Sequence, residues 1–267
     1  MKQNIVITGV SSGIGESFVR MALSTGKFEV IGLGRKNIEK AIPTEGYTFI
    51  STDLANESSI QNAIELILRK IGTVDILINN AGFGYKGTVS EISLDEIHEQ
   101  FDVNFFGTLS LTQKVLHVMK KQLNGHIINI SSIGAILSTP TLGYYAASKV
   151  ALDKISEVLA QEVRKYNIHV SNISPGTVKT RFGKNIKTTK NIGTEGDQST
   201  YEEWDIRFRN FFKKHNTADD VARLILRVIE KPRMYSYLSF RDKMIVLSRF
   251  LPLRLQQFIL YNLFLTK

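Results

Sequence analysis

No cysteine occurs among the 267 residues. That excludes a disulfide scaffold, a thiolate metal site and a cysteine nucleophile, and it fits a reducing compartment. No uninterrupted apolar run reaches the roughly 18 residues of a membrane-spanning helix, so none is expected. The start, Met1-Lys2-Gln3-Asn4 followed by the short run Ile5-Val6-Ile7, lacks the long apolar core and small-residue cleavage site of a secretory signal. Internal repeats and long low-complexity linkers are absent. The five histidines, His98, His117, His126, His169 and His215, are scattered without ligand-like spacing, so no metal is expected. Acids are the scarcer charge, 25 against 34 Lys plus Arg, for a net +9. Such an excess suits a phosphorylated small molecule, an anionic membrane surface or nucleic acid. No basic-aromatic module or recognition helix is visible, which removes nucleic acid from the expected partners.

What is present is a regular alternation of apolar strands and amphipathic helices, in a chain whose 43% hydrophobic content is enough for a sizeable core. Ile5-Val6-Ile7 is followed by Ile14, Phe18, Val19, Ala22 and Leu23 at helical spacing. Val30-Ile31-Gly32-Leu33 and Thr48-Phe49-Ile50 come next, then a helical stripe of Ile60, Ala63, Ile64 and Ile67 before the strand Ile76-Leu77-Ile78. Later strands read Ile127-Ile128-Asn129-Ile130 and His169-Val170-Ser171-Asn172-Ile173. Short, nearly continuous apolar strands between amphipathic helices mean a parallel sheet covered on both faces. The expected fold class is α/β, one doubly wound domain over residues 1–243, with 244–267 as an apolar, basic tail. Residues 183–216 break the alternation. A helix is expected from near Thr217, with Asp220 as a capping-box acid and Pro232 closing it.

Thr8-Gly9-Val10-Ser11-Ser12-Gly13-Ile14-Gly15 joins the first strand to the first helix. Glycines let a backbone turn sharply and approach a pyrophosphate, and a helix N-terminus offers free N–H groups with partial positive charge. Placement directly after the first strand favours phosphate binding over an ordinary glycine-rich turn. The second strand ends Leu33-Gly34-Arg35-Lys36. A carboxylate there selects a ribose 2′-hydroxyl, whereas a basic residue selects a 2′-phosphate. Two cations and no acid therefore point to NADP(H) rather than NAD(H), since Arg grips phosphate through two N–H groups.

In Tyr145-Ala146-Ala147-Ser148-Lys149, Tyr145 and Lys149 are four positions apart and share a helix face. An ammonium beside a phenol is expected to lower its pKa from about 10 toward working pH and make it a usable acid or base. With these motifs in this order, the sequence resembles the short-chain dehydrogenase/reductase family. Residues 8–15 match its TGxxxGIG loop, and Asn79-Asn80-Ala81-Gly82 its NNAG element. Asn104, in Phe101-Asp102-Val103-Asn104, matches the active-site asparagine. Ser132 stands thirteen positions before Tyr145, the family spacing, and Lys149 completes a tetrad without departure at any catalytic position.

The resemblance implies a Rossmann-type NADP(H) domain and a set of roles. Tyr145 would protonate the carbonyl oxygen as hydride arrives, or take the proton in reverse. Ser132 would hydrogen-bond that oxygen. Lys149 would hold the nicotinamide ribose and depress the Tyr145 pKa, and Asn104 would fix a water feeding protons to Lys149. Gly9, Ser11, Ser12, Gly13, Ile14 and Gly15 would surround the pyrophosphate, and Arg35 and Lys36 the 2′-phosphate. Asp53 and Leu54 would lie at the adenine, and Ala81 and Gly82 along the cofactor. Pro175, Gly176, Thr177, Val178 and Thr180 would seat the nicotinamide. Asn80 has two open readings, the adenosine side or a tie between neighbouring strands. A homodimer or tetramer is the implied assembly.

Phe83, Tyr85 and Phe182, with Ser132 and Tyr145, are the candidate substrate contacts, because open α/β sheets bind ligands beyond their strand ends. Ile133-Gly134-Ala135-Ile136-Leu137 carries no ionisable group, which suggests an apolar or aromatic carbonyl or alcohol. Phe208, Phe211 and Phe212 are either a lid over it or core. The tail interleaves large apolar residues with Arg249, Pro252 and Arg254. It is expected at a membrane interface, or packed on the domain or another subunit. It and the 79–85 region resemble lipid-, retinoid- and steroid-handling branches of the family. A cytoplasmic protein, peripheral at a membrane surface, is expected. The alternatives are a 3-oxoacyl thioester reductase, for which Lys184, Lys187 and Lys190 would grip a carrier, and a non-catalytic NADP(H)-binding regulator, against which the intact tetrad speaks.

Overall fold

A computed structural model describes residues 2–38, 42, 45–137, 139–180, 182–191, 206–207 and 216–264. Seven parallel strands make the central sheet: β1 (Gln3–Thr8), β2 (Phe28–Gly34), β3 (Tyr47–Ser51), β4 (Ile76–Asn79), β5 (Gly125–Ile130), β6 (Ile168–Ile173) and β7 (Tyr235–Ser236). Their spatial order is β7-β6-β5-β4-β1-β2-β3. The chain runs outward from β1 to β3 and then returns to β4 on the other side of β1. That reversal opens a crevice at the carboxyl ends of β1 and β4. The doubly wound α/β reading of the sequence is the fold observed.

Helices α1 (Gly13–Ser24) and α6 (Ala218–Glu230) cover one face, while α2 (Glu57–Ile71) and α4 (Thr108–Gln122) cover the other. Successive strand side chains point to opposite faces. Ile5 and Ile7 accordingly pack with Phe18 and Ile225, and Val6 packs with Ile64 and Val115. Both faces need apolar partners, and this is why the strands read as unbroken apolar runs. Ends are set locally. Asn56 caps α2 by accepting from the Ser59 N–H, and Gly72 closes it in the left-handed region. Thr217 and Asp220 form the expected capping box of α6, an arrangement contributing about 1 kcal/mol.

The remaining helices approach the crevice. They are α3 (Leu94–Phe101), α5 (Gly143–Val163), α7 (Phe240–Leu247) and α8 (Leu253–Phe264). Three asparagines, Asn79, Asn129 and Asn172, sit in register across β4, β5 and β6. The Asn79 amide donates to Asn129 (2.7 Å), and Asn129 donates to Ser156 of α5 (2.8 Å). This polar row ties α5 to the sheet. Helix α7 runs straight through the boundary expected at 243/244, and Ile245, Val246 and Leu260 pack on Ile133, Ile136 and Leu137. Of the 183–216 segment, residues 183–191, 206–207 and 216 are described, and Phe208, Phe211 and Phe212 lie outside the described residues.

Candidate active site

A cleft of about 1380 Å³ opens at the switch point, between the β1–α1 loop, the ends of β2 to β5 and the start of α5. Its floor is set by backbone contact. Gly9 has φ +74°, and a Cβ there would stand 2.8 Å from Ala81 Cα. Thr8 Oγ1 accepts from the N–H groups of Asn80 (3.0 Å) and Ala81 (2.9 Å), and the Asn80 amide donates to the carbonyls of Thr8 and Gly9. Asn80 is thus the tie between β1 and β4, while also lining the cleft. Gly15, by contrast, does not face the cleft. A Cβ on it would lie 2.3 Å from the Gly9 carbonyl oxygen, so it serves the packing of helix against loop.

This cradle fits a dinucleotide. Ser11, Ser12, Gly13 and Ile14 line it at the start of α1. Ser12, the N-cap of α1, makes no side-chain capping bond, which leaves first-turn N–H groups for a phosphate. Arg35 and Lys36 line it after β2, and Asp53 and Leu54 after β3. Ala81, Gly82, Pro175, Gly176, Thr177, Val178 and Thr180 line the other end. These three groups would hold the pyrophosphate, adenosine and nicotinamide parts of the cofactor respectively.

At that other end Ser132, Tyr145 and Lys149 come together along one wall. Ser132 follows β5 and accepts at Oγ from the Gly134 N–H (3.0 Å). Its hydroxyl acts on the Tyr145 phenol, favouring the phenolate. Lys149 is buried, and its Nζ donates to the Ile130 carbonyl (2.9 Å). Burial brings the Lys149 pKa down to about 8, opposed by the negative Asp153 one helical turn away. The Tyr145 phenol is pushed up to about 12 by burial, with Ser132 pulling it back. This corrects the expected depression of the phenol by Lys149. Desolvation of the buried phenol is the larger effect.

Asn104 lies one layer behind the cleft wall, fully buried in a π-helical segment (Asp102–Gly107) between α3 and α4. Such widened turns free backbone groups and recur at functional sites. Its Nδ2 donates to the Phe83 carbonyl (2.8 Å) and Ser148 Oγ (3.2 Å), and its Oδ1 accepts from the Phe83 N–H (3.0 Å). Asn104 thereby pins the loop after β4. A Cβ on Gly82 would be 3.1 Å from Asn104 Oδ1 and 3.4 Å from Lys149 Nζ, so the three groups share one corner.

Of the substrate candidates, Phe83 and Phe182 line the cleft, and the Phe182 ring lies 5.5 Å from that of Tyr145. Tyr85 does not line it. It is buried, with its hydroxyl donating to Glu99 (2.5 Å). No motif flagged Glu99. Its other oxygen accepts from Lys187 Nζ (2.5 Å), and Lys187–Thr188 pairs with Tyr85–Lys86 as a second small sheet. This clasp ties the segment after Phe182 to the loop after β4. Gly84 was also unsignalled, and a Cβ there would stand 3.3 Å from the Tyr145 ring.

A sequence profile of the short chain dehydrogenase family matches residues 3–191. A 3-ketodihydrosphingosine reductase of Bacteroides thetaiotaomicron is 37% identical over 195 residues, covering 73% of this chain and 71% of the relative. The uncharacterized oxidoreductase YbbO of Escherichia coli K12 is 33% identical over 262 residues, 97% of this chain and 94% of its own. Among solved structures, a short-chain dehydrogenase from Streptomyces avermitilis superposes with TM-score 0.81 at 26% identity, covering 98% of this chain and 96% of that one. ElxO with NADP bound superposes with TM-score 0.73 at 26% identity, covering 89% and 97%. With the cradle, the fold and these likenesses in agreement, this chain belongs to the short-chain dehydrogenase family and is a nicotinamide-dependent oxidoreductase of CH–OH and C=O groups.

Proposed function

We propose that the protein is an NADP(H)-dependent carbonyl reductase or alcohol dehydrogenase for an apolar, lipid-like or aromatic substrate. The observation that carries this reading is that Tyr145 and Ser132 line the same cleft as the apolar Phe83, Ile133, Leu137 and Phe182. Two hydroxyls orient one oxygen, and the apolar wall takes the carbon skeleton.

When bound, the nicotinamide supplies or takes the hydride. The chain does the rest. Tyr145 keeps its proton at neutral pH, since burial holds its pKa at about 12, and delivers it to the carbonyl oxygen during reduction. Ser132 donates to the same oxygen and stabilises the charge growing there. The buried Lys149 ammonium makes the corner electropositive and restores the proton to the phenol side. Asn104 holds the loop after β4 so that this geometry persists.

NADP(H) over NAD(H) is supported by Arg35 and Lys36 on the cleft wall after β2, and by the NADP carried in ElxO. The lipid-like class is supported by the likeness to a 3-ketodihydrosphingosine reductase. A carrier-linked thioester is disfavoured, because the Lys187 ammonium is ion-paired with Glu99 and lies over the Phe83 ring at 4.9 Å. A self-associating chain is the proposed assembly, supported by Val150, Ile155 and Val158 exposed along α5. Turnover of a panel of long-chain, steroid, aryl and small water-soluble carbonyls with NADPH and NADH tests the reading. Preference for apolar carbonyls with NADPH is expected, and turnover confined to small water-soluble carbonyls overturns it.

A further inference from the structure

Apolar side chains are exposed in one concentrated region. Of the nineteen large hydrophobic residues exposed among the described residues, ten fall between Phe240 and Tyr261. Phe240 is 79% exposed, Phe250 85% and Phe258 65%. Isolated exposed hydrophobics are ordinary, but ten within twenty-two consecutive residues, on α7, α8 and the link between them, are not. The inner side of these helices is satisfied, since Ile245 and Leu260 pack on Ile133 and Leu137. The outward side chains therefore lack a partner within the described fold.

Charge selects the occupant. From residue 243 to 267 the chain contains Lys243, Arg249, Arg254 and Lys267 and no Asp or Glu. Lys243 and Arg254 are exposed, in the same stretch of chain as Phe240, Phe250 and Phe258. The one acid of this pair, Asp242 of α7, is buried, so a short amphipathic pair that exposes large apolar side chains and the cations Lys243 and Arg254 is suited to the headgroup boundary of an anionic bilayer. No helix among the described residues is long and apolar enough to cross a membrane, so the contact is with the surface. We infer that α7 and α8 form a docking face for an anionic lipid bilayer.

The position of this face gives the contact a consequence. Ile133 and Leu137, on which α7 and α8 rest, line the cleft. Gly176, another lining residue, is packed so closely against α7 that a Cβ there would stand 2.5 Å from Asp242 Oδ1. Docking therefore sets the cleft about one helix diameter, some 10 Å, from the lipid surface, where an apolar carbonyl would partition. This inference does not depend on the redox reading, because lipid binding is measured without turnover.

Co-sedimentation of the full chain with vesicles decides it. One set is phosphatidylcholine alone, and the other also contains phosphatidylserine. Binding to the anionic vesicles is expected to be about tenfold or more tighter and to weaken with salt. The pair F250S and F258S is expected to cut it about tenfold or more, with NADPH binding unchanged. K243E with R254E, which leaves the apolar side chains in place, should abolish the preference for phosphatidylserine. Absence of binding to either vesicle overturns the inference. So does a dimer that dissociates in the F250S and F258S protein, because a second copy then covers the face.

Discussion

Lys149 Nζ donates a 2.9 Å hydrogen bond to the carbonyl of Ile130, the last residue of β5. The side chain therefore reaches from α5 to the carboxyl edge of the sheet and is held by backbone before any ligand arrives. Its ammonium is desolvated there, and its pKa falls to about 8. The Tyr145 phenol one turn earlier goes the other way, to about 12. The two groups are thus separated in acidity, and near neutral pH the phenol is protonated while the ammonium approaches its titration.

A pH profile follows from that separation. Below about pH 8 Lys149 carries its charge, and above it the charge is lost while Tyr145 still holds its proton. The rate of carbonyl reduction is expected to fall about tenfold per pH unit above a midpoint near 8. A descending limb centred near 10 or above would assign the titration to the phenol instead.

Replacing Tyr145 by Phe removes the acidic proton and keeps the ring that packs on Phe182. The expected loss in kcat is roughly 10²- to 10⁴-fold, with the dissociation constant for NADPH within about threefold of the parent value. Steady-state kinetics and fluorescence titration with NADPH separate the two quantities. Retention of most activity would give the proton transfer to another group.

Arg35→Ala deletes a cation from the cleft wall after β2. Weaker NADPH binding by about tenfold or more, with NADH little affected, is the expected result. Equal loss for both cofactors would detach Arg35 from the 2′-phosphate. Competition titrations of the parent and the variant measure it.

His126 is buried on β5, with Nε2 2.8 Å from Ser171 Oγ. Desolvation, then the neighbouring His169, brings its pKa down to about 4 from the ordinary 6.5. Between those values the unfolded chain takes up a proton that the folded chain refuses, so stability falls as pH drops through this window. The loss reaches about 3 kcal/mol at full titration. Urea unfolding at pH 7 and pH 4.5 should show it, and His126→Gln should remove this part of the acid sensitivity.

Much of the fold was legible because its causes are local. The runs Ile5-Val6-Ile7 and Ile76-Leu77-Ile78 are apolar at every position because both sheet faces are covered, and Asp220 follows Thr217 at capping distance. The short strand Tyr235–Ser236 was not legible. Two residues carry no periodicity, and its pairing with Asn172 and Ile173 is a tertiary event. In the cleft, Ser132, Tyr145 and Lys149 were legible from spacing and resemblance. Glu99 was not, since its partners Tyr85 and Lys187 are distant in sequence and no motif joins them. Tyr85 was misplaced for the same reason. A tyrosine after a strand end reads as a pocket residue until its hydroxyl is seen committed to a carboxylate.

By itself the sequence determined the parallel α/β sheet, the glycine loop and the order of the polar residues along the cleft. Burial periodicity, positive φ and helix-face spacing act over a few neighbouring residues and are written directly in the chain. The folded structure alone decided which proton is held and which is titratable, how Asn80 and Gly15 serve the loop, and where the apolar tail rests. Desolvation and packing depend on groups far apart in sequence, and they acquire values only when the layers close around them.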